Sequence, residues 1–137
     1  MTKGALDRET QEKTVLKVRV KSSSRVISAI CQAEVKLEDV NDQTPIISDN
    51  EIITVSEDAP IKEIIKIVSA EDKDRDQNSR VKYGLESDIN GQFSINADTG
   101  AIYLERPLKE ASSKLFYLTV LVSDYGVPSL ASNYTYR

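Results

Sequence analysis

Four acidic groups in the chain have a spacing that could do chemistry. They are Asp7-Arg8-Glu9, Asp39-Val40-Asn41-Asp42, Asp72-Lys73-Asp74-Arg75-Asp76-Gln77-Asn78, and the single Asp124. Carboxylates at i and i+2 on extended backbone point the same way. Several oxygens aimed at one point suit a hard cation, and calcium takes six to eight of them from carboxylates, amide oxygens and backbone carbonyls. Without a cation, like-charge repulsion makes such a grouping costly. Each group taken alone also has an ordinary explanation. Asp-Arg-Glu reads as a solvated turn, and the acids ahead of Pro45 read as a turn held by Asx hydrogen bonds. Asp124-x-Gly126 is a common turn. The EF-hand loop is the rival for Asp72-x-Asp74-x-Asp76, but it requires Gly at its sixth position and Glu at its twelfth. Those positions are Gln77 and Tyr83, so that reading fails.

Composition narrows the alternatives. The 137 residues include no His and one Cys, which excludes His-based catalysis, zinc fingers and a disulfide within the chain. The net charge is −4, against a general nucleic-acid binder. It divides unevenly, +3 over residues 1–38 and −7 over residues 39–137. No apolar run approaches the ~20 residues that cross a bilayer, and Met1 to Thr10 lack the apolar core of a signal peptide.

The elements that must position the acids are strands. Leu16, Val18 and Val20 alternate with Lys17, Arg19 and Lys21, the period of a half-buried strand. Ala29, Cys31, Ala33, Val35 and Leu37 alternate in the same way, which places the Cys31 thiol on an apolar face and predicts its burial. Further runs lie at Ile52–Val55, Ile64–Ala70, Val81/Tyr83/Leu85, Phe93/Ile95, Ile102/Leu104 and Leu118/Val120/Val122. Turn signals separate them at Ala59-Pro60, Asn90-Gly91, Thr99-Gly100 and Gly126-Val127-Pro128. Many short strands at this spacing read as a β-sandwich, with the tyrosines as packing and rim.

The chain also repeats itself. Leu6, Leu16, Val18 and Val20 recur 102 positions later as Leu108, Leu118, Val120 and Val122. That period is the size of a sandwich domain. Residues 1–38 then represent only the last strands of a first unit, and two strands cannot bury a core alone. The sequence is accordingly expected to be a piece of a longer array. Its last residues are expected to stop near the start of the second unit's final strand.

Taken in order, Leu6-Asp-Arg-Glu9, Asp39-Val-Asn-Asp-Gln-Thr-Pro45, Asp72-x-Asp74 with Asn78, and Ser123-Asp-Tyr-Gly-Val-Pro128 resemble the extracellular cadherin repeat. Val55-Ser-Glu57-Asp-Ala-Pro60 and Phe93-Ser-Ile95-Asn-Ala-Asp-Thr99-Gly100-Ala-Ile102 extend the likeness over nearly the whole chain. The Asp-Tyr-Gly-Val-Pro stretch is most similar to protocadherin or Fat-type repeats. The resemblance implies an all-β, seven-stranded Greek-key sandwich. Residues 1–38 become the end of a truncated repeat, 39–45 a calcium-binding linker, and 46–137 a second repeat lacking most of its last strand.

The resemblance also implies up to three calcium ions at the linker. Asp7 and Glu9 would reach them from the first repeat. Asp39, Asn41 and Asp42 would supply linker side chains, with the main-chain carbonyls of Val40 and Gln43. Asp72, Asp74 and Asp124, with the Asn78 carbonyl, would close the shell. Seven carboxylates against three divalent ions leave a net charge of about −1. Asp76 stands where the family often has Gly or a variable residue and is placed outside the shell. Three departures are visible. The opening-strand glutamate for this linker falls before Met1. Ser22 stands where an aspartate matching Asp124 is usual. Lys109 and Ala111 replace the acids that Asp7 and Glu9 supply one repeat earlier, leaving Glu57 as the candidate ligand for a following linker.

The function implied is calcium-dependent cell adhesion without catalysis. The module would lie on the extracellular side of the plasma membrane, in a protein anchored outside this segment. Its partners would be other cadherin-type ectodomains, homophilic or heterophilic, with no nucleic acid and no small-molecule substrate. Asn133-Tyr-Thr135 is an N-glycosylation sequon that acquires meaning in that setting. The alternatives are a metal-independent immunoglobulin- or fibronectin-like binding module and a glycosidase using paired carboxylates. The second is disfavoured because so small a sandwich is not expected to hold a substrate cleft.

Overall fold

The computed structural model describes residues 6–21, 28–49, 51–87, 91–110 and 115–137. Ser22 and Ala111 lie outside the described residues. The chain forms two compact units, Met1–Val40 and Asn41–Arg137.

The first unit is a two-stranded antiparallel ribbon, β1 (Lys13–Lys21) and β2 (Ser28–Lys36). Its register pairs Leu16 with Ala33, Val18 with Cys31 and Val20 with Ala29, so the two alternating patterns share one face. That face is not covered: Leu16, Val18 and Val20 are 45%, 45% and 60% exposed. Cys31 is exposed as well, against the expectation of a buried thiol. Alternation put it on the apolar side, but a side is buried only where a second layer lies on it, and no other described strand pairs with this ribbon.

The second unit is the sandwich. Its elements are β3 (Ile46–Ile47), β4 (Ile64–Ile67), β5 (Ala70–Glu71), β6 (Val81–Ser87), β7 (Phe93–Ile95), β8 (Ala101–Leu104), a 3₁₀ turn at Leu108–Glu110, β9 (Leu118–Asp124) and β10 (Ala131–Tyr136). One sheet runs β4-β8-β7 and another runs β10-β9-β6, with β3 and β5 pairing separately. All these pairings are antiparallel. The chain crosses from β4 to β6, returns to β7 and β8, and crosses again to β9 and β10, which gives the sandwich its Greek-key character. Between the sheets Val68, Phe93, Ile102, Leu104, Leu118 and Val120 form the core with Tyr136. Gly100 is required where β7 turns into β8: its φ is +69°, and a Cβ there would lie 2.4 Å from the Val68 carbonyl oxygen.

Three details depart from the strand pattern read in sequence. Ile52–Val55 forms no ladder, although Ile53 donates its N–H to the Arg137 carbonyl at 3.1 Å. The apolar run Ile64–Ala70 divides into β4 and β5, because its two ends pair with different strands, β8 and β3. Finally, the second unit's last strand is not largely missing. Ala131–Tyr136 pairs along its full length with β9. Its inner face is Ser132, Tyr134 and the buried Tyr136, a pattern hidden in sequence because the inward residues are amphipathic rather than aliphatic. Edge-to-face packing of Tyr134 on Tyr136, with ring centroids 4.8 Å apart, lets the tyrosines fill the place of aliphatic side chains.

Candidate metal site

In the second unit the oxygen-bearing residues sit on three segments that meet at one end of the sandwich. Asn41, Asp42 and Gln43 lead towards β3, Asp72 and Asp74 follow β5, and Asp124 ends β9. Antiparallel pairing of Ile46 with Glu71 and of Ser123 with Ala131 places these ends by backbone register.

Hydrogen bonds then join the segments. Asn41 donates through Nδ2 to Asp124 Oδ2 at 3.0 Å and to the Pro128 carbonyl at 2.6 Å. Gln43 N donates to Asp74 Oδ2 at 3.2 Å, and its Nε2 donates to Asp42 Oδ1 at 3.0 Å. Asp74 N donates to Asp72 Oδ1 at 2.9 Å. Asp124 is fully buried and Asp74 nearly so. Asp124 Oδ1 accepts the Gly126 and Leu130 N–H groups, each at 3.0 Å. Burial pushes the Asp124 carboxyl up, but hydrogen bonds from Asn41, Leu130, Gly126 and Ser129 outweigh it and hold its pKa below the ordinary carboxylate value. It is therefore ionised at neutral pH.

The donor set fits a hard cation. Asn41 Oδ1 and Asp72 Oδ2 are buried and have no hydrogen-bond partner among the described residues. Leaving such an oxygen unsatisfied costs about 1–3 kcal/mol, and a bound cation would remove that cost. Asn78 closes the turn after these acids, its N–H donating to the Arg75 carbonyl at 3.0 Å. Asp76 has φ +52°, a left-handed conformation that glycine adopts freely and Asp tolerates, which explains why glycine suits this place.

In the first unit, Asp7 is exposed and caps a turn, accepting hydrogen bonds from Thr10 Oγ1 at 2.5 Å and Glu9 N at 3.1 Å. Those bonds, Thr10's foremost, hold its carboxyl below the usual range. Arg8 pairs with Glu9 and with Asp39, while Val40 is exposed.

Two features escaped the sequence reading. Arg8, the middle residue of Asp-Arg-Glu, organises two of the acids rather than merely separating them. Gly126 is needed for space: a Cβ there would fall 2.2 Å from the Asn41 side chain. The available signal was the glycine two residues past Asp124, which reads as a turn without revealing what approaches it. Elsewhere in the second unit, Glu57 and Lys109 line a largely apolar cavity of about 480 Å³ with Ile53, Ile65, Phe93 and Leu118. The sandwich thus does hold a cleft, contrary to expectation. Its lining includes none of Asp72, Asp74 and Asp124. Lys109 pairs with Asp58. Asn133 is exposed on β10.

An all-β Greek-key sandwich carrying an oxygen-rich cluster at one end is the architecture that the sequence resemblance implied. The family model of the cadherin domain matches residues 51–137, and the chain belongs to the cadherin family. It is 38% identical over 136 residues to mouse Protocadherin Fat 2, covering 90% of this chain and 3% of that protein. It is 37% identical over 131 residues to the Fat-like cadherin-related tumor suppressor homolog of Drosophila melanogaster, covering 93% of this chain and again 3% of the relative. The structure superposes on mouse Cadherin-23 EC22-24 with a TM-score of 0.80 at 28% identity, over 97% of this chain and 43% of that one. For the Protocadherin gammaB7 EC3-6 cis-dimer structure the TM-score is 0.83 at 26% identity, over 98% and 33%. The family match replaces the immunoglobulin- or fibronectin-like alternative.

Proposed function

We propose that the chain is a calcium-dependent cell-adhesion segment. In this reading it lies on the extracellular side of the plasma membrane, within a cadherin array anchored elsewhere, and other cadherin-type ectodomains are its partners. Residues 39–45 act as the calcium-binding linker between the end of one repeat and the body of the next. The observation that carries the reading is the end of the second unit, where Asn41, Asp72, Asp74 and Asp124 converge and two buried oxygens lack a hydrogen-bond partner among the described residues. Asp42, the Gln43 and Asn78 carbonyls, and Asp7, Glu9, Asp39 and the Val40 carbonyl complete the ligand set proposed on family resemblance. Bound calcium would neutralise carboxylates that otherwise repel and so stiffen the linker.

The test is a thermal melt across a calcium titration, because a ligand that binds only the folded state raises its stability with concentration. Calcium should raise the melting temperature, and magnesium, which demands a smaller octahedral shell, should raise it less. The calcium-induced rise should shrink sharply in Asp42→Ala and Asp74→Ala while persisting in Asp76→Ala and Asp98→Ala. Comparing the rise, rather than the melting temperature itself, separates lost ligation from the structural cost of removing a buried side chain. An equal response to magnesium, or equal losses in all four variants, would reduce the cluster to generic negative charge.

A further inference from the structure

We propose that Asn133 carries an N-linked glycan whose inner sugars shield the outer face of the β10-β9-β6 sheet. The proposal rests on the extracellular reading above and on three observations. First, Asn133-Tyr134-Thr135 is an acceptor sequence with no proline at its centre. Second, strand alternation turns Tyr134 and Tyr136 towards the core and leaves Asn133 and Thr135 exposed on the opposite side. The folded sheet can therefore carry a sugar on this side chain without burying it. Third, the row that crosses the sheet from Asn133 is open and partly apolar. Asn133 pairs with Leu121 and Leu121 with Gly84. Leu121 is 37% exposed, and a Cβ at Gly84 would meet nothing within 4 Å. A partly bare leucine followed by open backbone forms a shallow apolar shelf within reach of a sugar attached at the neighbouring strand.

The chemistry is a group transfer from a lipid-pyrophosphate-linked oligosaccharide. Asn133 Nδ2 bonds to the anomeric carbon of the first N-acetylglucosamine and gives up one hydrogen as a proton, which is released to solvent or taken up by the departing pyrophosphate. The bond from that carbon to the lipid pyrophosphate breaks, and the pyrophosphate leaves with the electron pair. Nδ2 keeps its second hydrogen. That hydrogen can retain the 3.3 Å bond to Glu86 Oε2 and fix the direction in which the sugar leaves the sheet. A glycan held there directs partner contacts to other faces of the module.

The experiment expresses the chain in mammalian cells behind a cleavable secretion leader and measures intact mass before and after peptide-N-glycosidase F, in medium and cell lysate together. Transfer precedes folding, so retained chains count as well. Because the leader supplies the compartment, a negative result counts against the site and not against the extracellular reading. The wild type should lose one glycan and acquire Asp at position 133, while Asn133→Gln and Thr135→Ala should show no shift. Shielding is read in a Cys31→Ser background carrying Leu121→Cys: maleimide labelling should be several-fold slower in the glycosylated chain than after Thr135→Ala is added. An unglycosylated wild type overturns the site, and equal labelling rates overturn the shield.

Discussion

The β1–β2 and β9–β10 hairpins begin from the same pattern and end in different environments. Leu16, Val18 and Val20 correspond to Leu118, Val120 and Val122, 102 positions apart, and both sets lie on a long antiparallel strand. Yet the first three are 45%, 45% and 60% exposed, while Leu118 is 5% exposed and Val120 and Val122 are fully buried. Alternation chooses strand over helix and assigns side chains to a face, because both depend on backbone period alone. Burial needs an opposing layer, here Phe93, Ile102 and Leu104 from the β4-β8-β7 sheet. Each fully buried aliphatic side chain contributes about 1.5–3 kcal/mol relative to exposure, so one pattern carries very different energetic weight in the two places.

The largest expected effect tests that difference directly. Leu118→Ala should cost about 2–5 kcal/mol in a urea unfolding titration, through lost transfer energy and the cavity left behind. Leu16→Ala, its repeat equivalent, should change stability by about 0.5 kcal/mol or less, as surface substitutions do. Comparable losses in the two variants would mean that the first hairpin is covered in solution.

A second measurement sharpens the contrast through Tyr136, the inward end of β10. Its hydroxyl donates to the Asp49 carbonyl at 3.2 Å. Burial, assisted by the Asp49 charge, pushes its pKa up to about 12 from 10.0. The folded state therefore holds the phenolic proton more tightly than the unfolded chain. Its contribution to stability is complete below about pH 10 and is lost as pH rises towards about 12. Tyr136→Phe should remove that extra alkaline decline when its pH–stability curve is set beside the wild type. Parallel curves from pH 9 to 12 would place Tyr136 in solvent.

The smallest effect concerns ion pairs. Lys13 and Glu34 lie 2.9 Å apart across the first hairpin, with side chains 57% and 60% exposed. Lys66 and Asp49 in the second unit are 18% and 17% exposed, and each shifts its partner's pKa, Lys66 upward and Asp49 downward. A double-mutant cycle should give about 0.5 kcal/mol or less for Lys13–Glu34, fading with added salt. The Lys66–Asp49 coupling should be larger and less sensitive to salt. A reversed order would show that the hairpin pair is the better sheltered one.

The sequence by itself determined what depends on local period and on the order of residue types. Alternation in β1, β2, β6, β8 and β9 was legible because an apolar stripe, aliphatic but for Cys31 and Tyr83, runs through each. β10 was not, since its inward residues are a serine and two tyrosines. The acidic groups, in their order along the chain, sufficed to identify the family. Only the tertiary structure decided that Cys31 faces solvent, that Ile64–Ala70 serves two sheets, and that Ile53, Phe93 and Leu118 line a cavity. It alone joined Asn41 to Asp124, which are 83 residues apart in the chain, and showed that Gly126 must lack a side chain for Asn41 to fit. The reason is common to all of these. A residue's type and neighbours set its conformational preference, whereas its burial, its distant hydrogen-bond partner and the space beside it are properties of what the rest of the chain brings near.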